Sequence, residues 1–206
     1  VKVLAEIPAR SSSELRTGTL RRADLAVYGG LLEELRPAPS VLITGEAPGR
    51  REAAAGLAAA AAATGTRTAL LECELAEPGL AEALGLAVAP GLHEYLRGTA
   101  DSGEILKPVA LAGPGSAGAR EPLVCVVAGR PAEDGAAALL DSERFRHAVS
   151  GLSAAYELLV IDGPPPGRGA ELLAAMAVAE VTLAWSERGA PPPDLPGPAA
   201  GLLVQG

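Results

Sequence analysis

The chain has 206 residues, of which 49% are hydrophobic and only 2% aromatic, with a net charge of −8, enough apolar length for one α/β domain spanning 1–206. An acidic chain with so few aromatics lacks the basic clusters and stacking platforms of a nucleic-acid or anionic-membrane surface, so no nucleic acid is expected as partner. No run approaches the roughly 18 apolar residues of a membrane span, and no signal-peptide pattern opens the chain, so a soluble cytoplasmic protein is expected.

In chain order, Val1 to Ile7 ends at Pro8 and reads as a short edge strand, followed by a polar loop over Arg10 to Arg22. Leu25, Tyr28, Leu31, Leu32 and Leu35 recur at helical spacing, which predicts a helix over Ala23 to Arg36 that Gly29-Gly30 weakens and Pro37 and Pro39 stop. This N-terminal strand and helix, within 1–40, precede the core. Val41 to Thr44 is the first core strand, and an Ala-rich helix runs from Arg50 to Ala63. Thr68 to Glu72 is the next strand. Leu80 to Leu84, Gly91 to Arg97 and Ser102 to Lys107 read as short helices, and 112–122 as a surface loop. Leu123 to Val127 is a third buried strand, Glu143 to Ala154 a helix, Leu158 to Asp162 a fourth strand, and Ala170 to Ala179 a helix. Val181 to Trp185 and Leu202 to Val204 are further strands, joined by a Pro-rich linker over Pro191 to Pro198. Alternating helices and wholly apolar strands predict a three-layer α/β fold with a mainly parallel sheet. Cys73 and Cys125 sit in apolar runs and read as buried thiols, although sequence alone leaves a disulfide open.

Three strand ends carry the polar residues of interest. The stretch VLITGEAPGRREAAAGL (41–57) has the strand, Gly-containing turn and helix of a phosphate-binding loop, with Gly45, Gly49, Arg50 and Arg51 as the phosphate-facing candidates. It lacks the Lys and the Ser/Thr that such loops aim at phosphate and Mg²⁺. Glu72 and Glu74 follow the second strand, and Asp162 ends the fourth before Gly163-Pro164-Pro165. In an open parallel sheet these carboxyl ends converge on one crevice.

With these motifs the chain resembles the bacterial tyrosine kinases of capsule and exopolysaccharide assembly, a family of deviant-Walker P-loop ATPases. The resemblance runs through Ile7-Pro8, the phosphate loop, LLECELAEPGLAEALGL (70–86), GLHEYLRG (91–98), VVAGRPAEDGAAALLDSERFRHAV (126–149) and YELLVIDGPPP (156–166). It implies a P-loop NTPase-like fold, ATP or ADP with Mg²⁺ as cofactor, and Asp162, Glu72 and Glu74 at the positions of the acidic site residues. The departures fall on the working parts. The lysine position is Arg50, the hydroxyl positions are Arg51 and Glu52, and the loop is about two residues short. Two aspartates of the second motif are Glu72 and Glu74, and the charged triplet tied to ring assembly falls on Ala26, Gly29 and Leu32. The resemblance therefore implies vestigial catalytic residues, nucleotide bound weakly or not at all, and a monomer or dimer in place of a ring. Its partners would be proteins of a membrane polysaccharide system. Tethering to the inner membrane face, through a partner or a segment outside this chain, stays open.

Arg50 and Arg51 admit two readings: residual anion binding, or an ion pair with Glu72, Glu74 or Glu46 that fills the empty site. Cations at a helix N-terminus oppose its dipole and require a carboxylate or anion nearby. His93 and His147 lack partners at metal-ligand spacing and read as structural. Cys73, between two glutamates, is not an activated thiol. Three functions compete: a regulatory or scaffolding pseudokinase-like domain, an active tyrosine autokinase with Arg50 replacing Lys and Asp162 and Glu74 holding Mg²⁺, and a partitioning or positioning ATPase.

Overall fold

Short runs of Val, Leu and Ile form strands where both faces can be covered by helices. The computed structural model describes residues 2–7, 22–36, 38–110, 123–132 and 134–205. Among them the strands are β1 (Val3–Ile7), β2 (Ser40–Thr44), β3 (Thr68–Glu72), β4 (Lys107–Val109), β5 (Leu123–Val126), β6 (Leu158–Asp162), β7 (Val181–Glu187) and β8 (Gly201–Gln205). The helices are α1 (Arg22–Glu34), α2 (Arg50–Ala63), α3 (Leu80–Leu84), α4 (Leu92–Leu96), α5 (Ala136–Leu140), α6 (Glu143–Ala155) and α7 (Gly169–Met176). The strands form one sheet of order β1-β8-β7-β2-β6-β3-β5-β4. Every neighbouring pair is parallel except β4 with β5.

Strand alternation divides the core. Val41, Ile43, Leu70, Val160 and Leu183 face α1, α2 and α3, whereas Leu42, Ala69, Leu71, Leu159 and Ile161 face α4 to α7. Helix α2 is the central element of the first layer. Its residues from Ala53 to Ala63 are all buried, as expected of a helix that is apolar all round. Alanine supplies the highest helix propensity and the least bulk, so α2 lies closely against β2, β3, β6 and α1. The mainly parallel three-layer arrangement agrees with the expectation from sequence.

Several elements differ from that expectation. Ser102 to Lys107 is not a helix. It forms a turn that leads into β4, because Gly103 breaks helical order and Pro108 biases Lys107 toward extended backbone. Helix α5 was not anticipated; Gly135, at φ 80°, turns the chain into it. Strand β5 stops at Val126, and α7 starts at Gly169 and stops at Met176. Of the loop expected over Arg10 to Arg22, Arg22 instead opens α1, and the rest of it, the loop expected at 112–122 and the breaks at Pro8 and Pro37 lie outside the described residues. Cys73 and Cys125 are buried free thiols, and burial raises both well above the usual cysteine range. No helix among the described residues is long and apolar enough to cross a membrane.

Candidate functional site

Neighbouring strands β2, β6 and β3 end on Thr44, Asp162 and Glu72, with Ile43 and Glu72 in register with Asp162. All three polar side chains are fully buried. The expected convergence of strand ends therefore exists as geometry. The turn from β2 into α2 is held by two glycines. A Cβ on Gly45 would collide with the Trp185 carbonyl oxygen, and Gly49 sits in the left-handed region at φ 88°, within 3.1 Å of the Trp185 ring if it carried a Cβ. Trp185 clamps this turn by donating its indole N–H to the Pro48 carbonyl at 2.8 Å.

The arginines that begin α2 turn inward to the strand ends. Arg50, only 9% exposed, donates Nε–H to Asp162 Oδ1 at 2.9 Å and an Nη1 proton to the Gly45 carbonyl at 3.3 Å. Arg51 places Nε 3.5 Å from Asp162 Oδ2 and 3.7 Å from Glu72 Oε1, and donates from Nη2 to the Glu77 carbonyl at 3.2 Å. Gly79 makes room for this guanidinium, since a Cβ there would come within 2.6 Å of it. The Asp162 carboxylate thus faces two cations that would otherwise oppose the helix dipole, with Glu72 at longer range from the second.

Glu72 is held by backbone donors. Its Oε1 accepts the N–H groups of Gly79 and Leu80, each at 2.7 Å, and its Oε2 accepts the N–H of Ala128 at 2.9 Å. Burial, and then the charge of Asp162, push the Glu72 carboxyl up from the usual range, while these three donors hold it partly back. Glu74 is raised as well, chiefly by burial.

The reading of Glu46 as a partner of the loop arginines is corrected, and Glu74 feels the charge of Arg50 while its direct ion pair is with Arg168. Glu74 Oε1 lies 3.4 Å from Arg168 Nε and accepts the Glu77 N–H, and Glu46 accepts the Gly167 N–H at 2.7 Å. Arg168 was missed in the sequence. It also reaches Glu77 at 3.2 Å and Glu171 at 3.8 Å. Its signal is the Pro164-Pro165-Pro166-Gly167 turn, which ends at the helix start and delivers Arg168 back over the crevice. Thr44 adds a further stitch by donating its hydroxyl to the Pro164 carbonyl at 2.6 Å.

These residues do not fit Mg-nucleotide. Both Asp162 oxygens face guanidinium groups, the Thr44 hydroxyl is committed to Pro164, and residues 45–52 contain no other hydroxyl. The open crevice of about 260 Å³ is lined by Glu46, Glu52, Glu74 and Glu77 beside Arg50 and Arg51. Arg50 and Arg51 here face the buried Asp162 carboxylate and Arg168 pairs with Glu74 and Glu77, so each of these three cations is already committed to a carboxylate. Among the described residues no three His, Cys, Asp or Glu side chains are grouped to hold a metal ion. His93 accepts a hydrogen bond from Arg97 Nε at 2.7 Å, and His147 lies on α6, away from the strand ends.

No protein-family model matches the chain, and no curated protein matches it in sequence. Solved structures do match it in shape. The kinase domain of Escherichia coli tyrosine kinase ETK superposes over 100% of this chain and 90% of its own, at 16% identity and a TM-score of 0.80. The BceF tyrosine kinase domain does so over 100% and 93%, at 17% identity and a TM-score of 0.80. The septum site-determining protein MinD of Pyrococcus horikoshii OT3, complexed with Mg-ADP, covers 70% of this chain and 56% of its own, at 20% identity and a TM-score of 0.57. The chain has the P-loop NTPase-like α/β fold of these proteins, and the resemblance noted in the sequence fits it.

Proposed function

We propose that this chain is a tyrosine-kinase-like domain that has exchanged nucleotide chemistry for a regulatory or scaffolding role, binding protein partners of a capsule or exopolysaccharide synthesis and export system on the cytoplasmic side of the membrane. The system comes from the resemblance of the ordered motifs and the shared fold. The loss of chemistry rests on one observation: Arg50 and Asp162, both buried, are paired at 2.9 Å where the phosphate loop meets the acidic strand end. Phosphoryl transfer depends on positioning and on charge neutralisation by metal and cation. Here the cation is spent on the carboxylate, and the second cation, Arg51, stands beside the other oxygen. Loss of a single electrostatic stabiliser commonly costs about 10²- to 10³-fold in rate, and this chain lacks at least two.

The assembly follows the same reading. Ala26 is exposed and Gly29 and Leu32 are half-buried on α1, and none offers the charge that ring formation in the family uses. A monomer or a two-fold dimer is expected.

Calorimetric titration with Mg-ATP and Mg-ADP tests the reading, with the emission of the single tryptophan, Trp185, reporting on the loop it clamps. The expected result is no saturable heat, no change in emission and no transfer of γ-phosphate label to tyrosine. An active autokinase would instead show a melting temperature raised by Mg-ATP and label on a tyrosine, both abolished by Asp162→Asn.

A further inference from the structure

On the sheet face opposite α2, a cavity of about 310 Å³ opens beneath α6. Its floor is Leu71 of β3 and Val126 of β5, and its walls include Leu92, Leu152 and Ile105, all buried. The volume corresponds to about ten water molecules at ~30 Å³ each, and walls of this kind give water few partners. It lies at the small end of the range of about 300–1,000 Å³ typical of ligand pockets.

The polar residues that line the cavity are Ser102, His147, Tyr95 and Tyr156, and no Asp or Glu contributes to the lining. The Arg144 guanidinium stacks 4.6 Å from the centroid of the Tyr95 ring, on the same helix as His147. Glu104, on the neighbouring turn, lies outside the lining and accepts the Asp101 N–H at 2.7 Å. A cationic headgroup would find no carboxylate in this lining, whereas an anionic one would meet hydrogen-bond donors there and, next to Tyr95, the exposed Arg144 guanidinium.

We propose that this cavity is a binding site for a small amphiphilic carboxylate, its apolar body against Leu71, Val126 and Leu152 and its carboxylate at the mouth beside His147, Tyr95 and Arg144. The site stands apart from the nucleotide crevice, across the sheet from Arg50, so its occupancy is independent of the function proposed above.

Decanoate is the test ligand, followed by protein-detected NMR. Saturable shifts are expected in β5, α4 and α6 with a Kd of about 0.1–1 mM. Gly151 lines the cavity, and a Cβ there has nothing within 4 Å. Gly151→Phe should therefore fill the space, keep or raise the melting temperature, and weaken decanoate at least tenfold. Ala155→Phe, which enters the same cavity, serves if the first variant folds poorly. Decylammonium should bind at least tenfold more weakly than decanoate. Absence of saturable binding up to about 10 mM, shifts mapping elsewhere, unchanged affinity in a folded filled variant, or equal binding of decylammonium would each overturn the proposal.

Discussion

Arg50 and Asp162 stand 112 positions apart in sequence and share a buried hydrogen-bonded ion pair at 2.9 Å. The pair ties the first turn of α2 to the end of β6, so the phosphate loop is fastened to the acidic strand end without a ligand between them. A buried pair repays its desolvation only while both partners are present.

Arg50→Met should therefore cost about 3–5 kcal/mol, because Asp162 would keep its buried charge with only the longer contact to Arg51. Removing both charges, in Arg50→Met with Asp162→Leu, should cost clearly less than the sum of the two single changes. Urea denaturation of the four proteins in the cycle measures the coupling. A strictly additive cycle would mean that the pair does not hold the loop.

Glu72 gives the fold a pH dependence of defined sign. Its carboxyl is raised above the usual 4.5, first by burial and then by Asp162, so the folded state favours the protonated form. That contribution is complete below the unfolded glutamate value and is lost as pH rises through the folded one. In Glu72→Gln the fall in stability as pH rises above the unfolded glutamate value should flatten relative to the parent chain. The variant should also be less stable at every pH. An amide can still accept from Gly79 and Leu80, but its NH₂ would then oppose the Ala128 N–H that Glu72 Oε2 now accepts, leaving a buried donor unsatisfied at about 1–3 kcal/mol. Denaturation midpoints of both proteins across the pH series provide the check.

The trio Thr44, Asp162 and Glu72 was legible in the sequence because each apolar run stops at a polar residue, and parallel strands bring such stops to one edge. Partner choice within the crevice was not. Spacing along the chain does not say that Arg50 hydrogen-bonds Asp162 while the direct contact of Glu74 is with Arg168, since that depends on the rotation of α2 and on the return of the 163–168 turn. The segment from Ser102 to Lys107 was misread because Ile105 and Leu106 are too few to separate a short helix from a turn and an edge strand. The apolar cavity left no sequence signature at all, because its lining comes from β3, β5, α4, α6 and the turn between them.

Two helical glycines should respond to the same substitution with opposite signs. Intrinsic propensity favours alanine over glycine by about 1 kcal/mol at either position. In α2, a Cβ on Gly56 would strike the Tyr28 hydroxyl and lie 2.7 and 2.8 Å from two further atoms of the ring, and Tyr28 is fully buried in the layer between α1 and α2. Since the ring has no open side to move into, overpacking of about 1–3 kcal/mol exceeds the propensity gain. Gly56→Ala should lower the melting temperature. In α6, a Cβ on Gly151 meets nothing within 4 Å, so Gly151→Ala should raise stability by up to about 1 kcal/mol. Thermal melts of both variants decide the matter. Stabilisation by Gly56→Ala would mean that α1 is free to shift on α2, and that the close seat of the central helix does not depend on the missing Cβ.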